Sequence, residues 1–488
     1  MRNPIFTSFA LLLFVSCAES VKDGTVEKVD TVSYNIINER NESDGQAFVK
    51  SCVSKLYKGL ADSPQGFFFD NDSGIGGLSE RGDEMASKLG LPSEEDLVSA
   101  LLGNGESSPS VKGALDVFNF KIVQYTYKTV DQRNDPVILS SVLAVPYEHW
   151  YSSDIGSPTS IVIDCHSTIT SNDEAPTSAD PNSFLLAANG SLVVCPDYLG
   201  LGCSEDFDQL YLCSGIGARQ VLDAVRAAVK LLRKEYNVEL DENYYTQVTG
   251  YGQGGAMALA VAREIENMRP EDEEQFDFRL RNTVCGGAPV DLRNTACWYL
   301  DMQYPINPSL VPLALKGLIS GNEDLFRDLK YEVFFTDDYL SSGIDDLLSY
   351  PKSLDIDQID CLIDEKIETY GLRGIVSGEL YDEYEKYRNG EPEGRLLSPL
   401  LTALDRNTLF CDGWIPSNPI LLYHVKNDDV VPFFNFEYAV SKLTDYGCDF
   451  KCSTRDINAG GFGLNHKSAE YVFSIMLASG LESDWFDE

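Results

Sequence analysis

The sequence predicts an α/β fold: a mostly parallel central sheet flanked by helices, with a helical cap inserted late in the chain. Two patterns carry this reading. Short apolar runs of strand length at 160–165, 192–195, 244–249 and 419–423 are interspersed with longer stretches of helical period. One such stretch puts Ala218, Val221, Leu222, Val225, Val229 and Leu232 on a single face. Strands separated by helices need crossover connections, and crossovers make neighbouring strands parallel. A third observation is the glycine-rich turn Gly250–Tyr251–Gly252–Gln253–Gly254–Gly255, set between the strand at 244–249 and the apolar helix at 256–262.

Taken in order, residues 1–18 read as an export signal, with basic Arg2, an apolar run from Phe9 to Val15, then Ser16, Cys17 and Ala18. The run is too short to span a membrane stably. Cleavage before Cys17 would give a lipoprotein with membrane anchoring through that cysteine; cleavage after Ala18 would give a secreted protein. Residues 19–115 form an acidic N-terminal extension with helices expected at 47–57 and 94–102. The core is expected over 116–305 and again over 411–488, with the cap at 306–410 and amphipathic segments at 311–319, 344–350 and 359–367. Without Cys17 the twelve cysteines leave an odd number, so at least one thiol would stay unpaired or cross-link chains, and Cys448 and Cys452 can pair only if the chain turns between them.

A net charge of −39 across 488 residues excludes a nucleic-acid-binding face and favours solubility. It would also repel anionic surfaces over a Debye length of about 8 Å, so contact with a lipid interface would need an apolar patch. No metal-ligand spacing occurs in the sequence. The glycines at 250, 252 and 255 fit a dinucleotide loop, but the acidic residue such a loop needs about 20 residues on, at the end of a second strand, is missing: Glu264, Glu266, Glu271 and Asp272 belong to the same helix or the loop after it. No cofactor is expected.

The turn instead matches the nucleophile elbow GxSxG, with Gly252 in the serine position and Gly250 and Gly254 in the two places where strand and helix must approach closely. Tyr251 reads as a wall of the pocket. The strand at 160–165 ends in His166, Ser167 and Thr168, where the second donor of an oxyanion hole would arise; the first would be the N–H of Gln253. The strand at 419–423 runs into His424 and then Asp428, in a turn reading Asp, two residues, Val, Pro. His466 follows, opening a C-terminal helix. Elbow, acid and histidine come in the chain order of the α/β-hydrolases. His424 suits a supporting hydrogen bond at its strand end, and His166 suits ordering of the oxyanion loop.

From about Phe118 onward the chain resembles the secreted lipase family of fungi and its bacterial relatives, a branch of the α/β-hydrolases acting on esters and acylglycerols. The strings that carry the resemblance are VVCPDYLGLGCS, VTGYGQGGAMALA, GGAPVDL, FCDGWIPSNPILLYHVKNDDVVPFFN and LNH. The resemblance implies a cap that sets acyl selectivity, His466 as general base and Asp428 as its orienting acid. Three departures fall in the active-site loops: Gly252 replaces the serine, Ser167 replaces a glycine, and Gln209–Leu212 reads QLYL where relatives tend to read HPYL. Glycine has no side chain to attack an acyl carbon, and loss of a triad member leaves about 10³–10⁴-fold acceleration over water. Three readings follow. The chain is an impaired lipase or esterase that binds an acyl ligand or a protein partner, an active hydrolase using another residue or a positioned water, or an ordinary one whose serine was lost by artefact or engineering. The sequence does not fix the oligomeric state.

Overall fold

In a computed structural model of the protein, the described residues are 33–42, 45–62, 78–101, 120–146, 157–188, 190–269, 276–302, 304–367, 371–454 and 464–480. The expected export signal and Cys17 lie outside them. Nine strands form one sheet in the order β1-β2-β3-β5-β4-β6-β7-β8-β9. They are β1 (Tyr34–Glu42), β2 (Phe120–Val130), β3 (Pro136–Pro146), β4 (Ser160–Cys165), β5 (Leu192–Pro196), β6 (Tyr245–Tyr251), β7 (Leu280–Gly286), β8 (Ile420–Tyr423) and β9 (Phe450–Ser453). The β1–β2, β2–β3 and β3–β5 pairs are antiparallel, and every pair from β5–β4 to β8–β9 is parallel.

The longer helices are α1 (Gly45–Asp62), α2 (Leu78–Lys88), α3 (Glu94–Leu101), α4 (Ser214–Glu235), α5 (Gln253–Glu266), α6 (Leu292–Asp301), α7 (Leu310–Gly321), α8 (Ile356–Lys366), α9 (Gly378–Arg388), α10 (Leu397–Asn407), α11 (Phe434–Tyr446) and α12 (His466–Ser479). The apolar stripe of α4 packs with the nearly all-buried α5 against Ile161, Ile163 and Val248 of the sheet. A second apolar cluster joins Val53, Leu56 and Leu60 of α1 to Val472, Ile475 and Met476 of α12. The N-terminal extension is thus part of the fold. It also supplies β1, an edge strand whose polar string YNIINERNE carries little apolar alternation to mark it in the sequence.

Between β7 and β8 the chain builds the cap on its own apolar cluster, which includes Leu313, Phe334, Tyr339, Ile363 and Leu400. The expected segments at 311–319 and 359–367 lie largely within α7 and α8, whereas 344–350 gives only one turn, Ile344–Leu347. Pro351 disfavours helical backbone in the residue before it. Buried Lys352 fastens the cap by donating to the carbonyls of Glu205 and Phe207 at 2.5 and 2.7 Å, while Thr170 donates to the Leu354 carbonyl at 2.9 Å. All eleven described cysteines are free thiols; Cys448 lies just beyond α11 and Cys452 on β9, unpaired.

Parallel strands bring their C-terminal ends to one edge of the sheet, where an α/β fold places ligands. Cys165 pairs with Gly250 across β4 and β6, and Gly286 pairs with both Tyr251 and Tyr423. The loops leaving β4, β6 and β8 therefore emerge side by side.

Candidate active site

Gly252 turns the chain from β6 into α5 with φ 57° and ψ −123°. Residues other than glycine rarely enter that region. A Cβ built there would meet the His466 imidazole, Nε2 at 3.0 Å and Cε1 at 3.5 Å, and no other atom of the described residues within 4 Å beyond its chain neighbours. The space above Gly252 is open except on the histidine side. Two residues on, a Cβ at Gly254 would fall 1.9 Å from the Cys165 carbonyl oxygen and 2.7 Å from that of His166. Helix α5 thus starts in backbone contact with the end of β4. Gly254→Ala is expected to destabilise the fold by about 3 kcal/mol, the upper part of the overpacking range, because the clash is with backbone; denaturant unfolding measures it.

His466 is the first residue of α12, which Asn465 caps through a reciprocal bond with Ser468. Two neighbouring aspartates hold it. Its N–H donates to Asp429 Oδ1 at 3.1 Å, and its Nδ1 lies 2.8 Å from Asp428 Oδ2. Its ring packs against Tyr251 at 4.9 Å, and its Nε2 has no hydrogen-bond partner among the described residues. The other carboxylate oxygen of Asp428 accepts from the N–H groups of Val430 and Val431 at 3.0 and 2.7 Å. His424 sits behind it, with Nε2 2.9 Å from the Val431 carbonyl.

Burial alone would lower the pKa of His466, but the Asp428 carboxylate, its hydrogen bond, and the charges of Glu470 and Asp429 outweigh it and leave the imidazole raised. For Asp428, burial pushes upward, and the charge and hydrogen bond of His466 with the Val431 N–H pull it below the ordinary carboxylate value. Both shifts favour the charged pair. The His466 contribution to stability is full below its unfolded pKa and fades as pH rises through the raised folded value. The Asp428 contribution is present above its unfolded pKa and fades as pH falls through the lowered one.

On the β4 side, the His166 ring stacks on Tyr198 at 3.9 Å, and its Nδ1 lies 2.7 Å from the Ser167 carbonyl. Burial drives this imidazole down to about 4, with the Ser167 contact opposing, so it is neutral near pH 7. Gln209 donates to the Ile169 carbonyl at 3.2 Å, and the hydroxyls of Thr168 and Tyr211 are 3.1 Å apart. The substitutions at 167 and 209 therefore bear on the same loop. The N–H groups of Ser167 and Gln253 have no acceptor among the described residues.

Under the cap lies an apolar cavity of about 130 Å³, lined by residues including Leu292, Leu310, Leu315, Leu401 and Val431. Leu212, Pro289 and Leu292 line both this cavity and a smaller space that reaches Gln253. The two spaces therefore share walls beneath the cap.

No protein-family model and no curated protein sequence matches the chain. Solved structures do. The rice cell wall degrading esterase LipA from Xanthomonas oryzae is similar with a TM-score of 0.57 at 22% identity, over 78% of this chain and 92% of that one. The chain has the α/β-hydrolase fold. A putative hydrolase from Legionella pneumophila gives a TM-score of 0.64 at 15% identity over 92% and 97% of the two chains. Candida antarctica lipase A in its closed state gives 0.51 at 17% identity over 72% and 74%.

The structure brings Gly252, Asp428 and His466 together, with Gln253 beginning the adjoining helix. Tyr251 is buried between the His466 and Phe473 rings, so it supports the histidine from within as well as flanking a cavity. Two participants were missed in the sequence. Asp429 was masked by its neighbour Asp428, and Glu470 lies one turn after His466 on the same helix, where a lone glutamate reads as a solvated charge. An aspartate beside an expected acid, and a glutamate four places after an expected helix-initiating histidine, are the patterns that point to them.

Proposed function

We propose that the chain is a lipase- or esterase-like hydrolase that has lost acyl transfer and keeps a site for an acyl ligand. One observation carries the proposal: the elbow position facing His466 Nε2 is glycine, at a distance where a nucleophile's side chain would otherwise lie. In this reading His466 is the base left without a hydroxyl to deprotonate. Asp428 holds its tautomer, and the N–H groups of Gln253 and Ser167 form the oxyanion hole. The cavity under the cap takes the hydrocarbon chain, since its lining is almost wholly apolar.

A second reading is supported by the open space over Gly252, which has room for a water hydrogen-bonded to Nε2. Such a water lacks the covalent intermediate that makes serine attack fast, so the two readings differ in rate. The protein as isolated is expected to hydrolyse p-nitrophenyl esters no faster than about 10⁴-fold over the uncatalysed reaction, the residue left by binding and oxyanion donors. Steady-state assays across acyl lengths check this, and a rate in the ordinary enzyme range would overturn the loss of catalysis. The proposal includes export directed by residues 1–18; the mass of the mature N-terminus distinguishes lipidation at Cys17 from cleavage after Ala18.

A further inference from the structure

We infer that the ligand of this site is a free monocarboxylic acid, its carboxyl group seated over Gly252 between His466 Nε2 and the N–H of Gln253, and its chain in the cap cavity. This rests on the reading that the cavity takes an acyl chain. Deleting the serine side chain changes what the site recognises. With a serine present, Nε2 would be engaged by the hydroxyl; with Gly252 it is free to serve a ligand, while Nδ1 stays tied to Asp428 at 2.8 Å. Among the described residues a Cβ built at Gly252 finds only the imidazole within 4 Å, so these residues leave the seat open on its other sides. Beside it begins a 14-residue helix whose first N–H groups lack intrahelical acceptors and whose dipole favours negative charge.

A carboxyl group matches this pair of donors, one oxygen for each. An ester offers one good acceptor and carries an alkyl group where the second oxygen would sit. An alcohol offers a single oxygen. The surrounding charges determine the proton count. Asp428, Asp429 and Glu470 are the charges that raise His466, while burial lowers the pKa of His424 and Tyr251 stays neutral, its hydroxyl pushed well up by burial. In that acidic setting a bare carboxylate would be repelled from a neutral imidazole. The complex therefore holds one proton, shared between Nε2 and the carboxyl oxygen. Below the raised pKa of His466 the imidazolium supplies it; above that pKa, binding takes one proton from solvent, so affinity falls about tenfold per pH unit.

Isothermal titration of the whole chain with dodecanoate, methyl dodecanoate and dodecan-1-ol, from about pH 6 to about pH 9, reads this out directly. Dodecanoate is expected to bind at least about tenfold more tightly than the other two, the scale of one charge-assisted hydrogen bond. Its affinity should fall with pH, with proton uptake visible as a buffer-dependent enthalpy. His466→Gln should bring dodecanoate down to the level that the same variant shows for dodecan-1-ol, with an unchanged circular-dichroism spectrum and cooperative thermal unfolding showing that the variant is folded. Equal affinities for acid, ester and alcohol would overturn the inference, as would a pH-independent affinity or no binding at all. Ester turnover by the parent chain would instead overturn the loss of catalysis and leave the acid preference standing.

Discussion

Gly252→Ser is expected to raise p-nitrophenyl ester turnover at least about 10²-fold above the parent chain, because it restores the one missing participant in a triad worth roughly 10⁶ in kcat when complete. The expected gain is kept well below that ceiling by three features of this site. A Cβ at position 252 would lie 3.0 Å from Nε2, so the imidazole must retreat by a few tenths of an ångström before a hydroxyl fits. The backbone at φ 57° strains any residue but glycine, and the variant should lose about 1–3 kcal/mol of stability. Ser167 and Gln209 also alter the oxyanion loop, and one oxyanion donor is worth about 2.7–4 kcal/mol. Gly252→Ser combined with Ser167→Gly should therefore exceed Gly252→Ser alone. Since His466 must be neutral to act as a base and its pKa is raised, the acid limb of kcat/KM should lie above the ordinary imidazole value of about 6.5. Steady-state kinetics over a series of acyl lengths and pH values measures all of these effects.

Asp428→Asn in the Gly252→Ser background should cost about 10⁴ in kcat. The carboxylate fixes the proton on Nδ1 through the 2.8 Å contact and compensates the positive imidazole that forms during attack. An amide holds the ring in place but can turn its NH₂ toward Nδ1, which favours the wrong tautomer. The two backbone bonds from Val430 and Val431 keep the side chain oriented in either case, so kcat should fall while the fold is retained. A loss of tenfold or less would mean that Asp429, which already accepts from the His466 N–H, takes over as the acid.

Four of the nine strands, β4, β5, β6 and β8, could be read from the chain because they are short, rich in apolar and β-branched residues and bounded by turn residues; β4 was expected at 160–165 and is Ser160–Cys165. The elbow was legible because Gly250, Gly252 and Gly254 sit where the turn demands them. Edge strand β1 was not, since a strand half in water needs no apolar face along its length. Nor was the hold of Lys352 on the cap legible, because its partners are backbone carbonyls, which leave no mark in the residue pattern. Asp428 could be placed by spacing within its turn. The part played by Asp429 required coordinates, as did the closeness of His466 to the bare backbone of Gly252.

The central claim is that the site is complete apart from its nucleophile. Intact-mass analysis after exposure to a fluorophosphonate probe tests it most directly, because the probe reacts only with an activated hydroxyl or its equivalent. The account predicts no adduct on the parent chain and a single adduct on Gly252→Ser, mapping to the introduced hydroxyl. An adduct on the parent chain, or a folded Gly252→Ser that remains unlabelled, would contradict it.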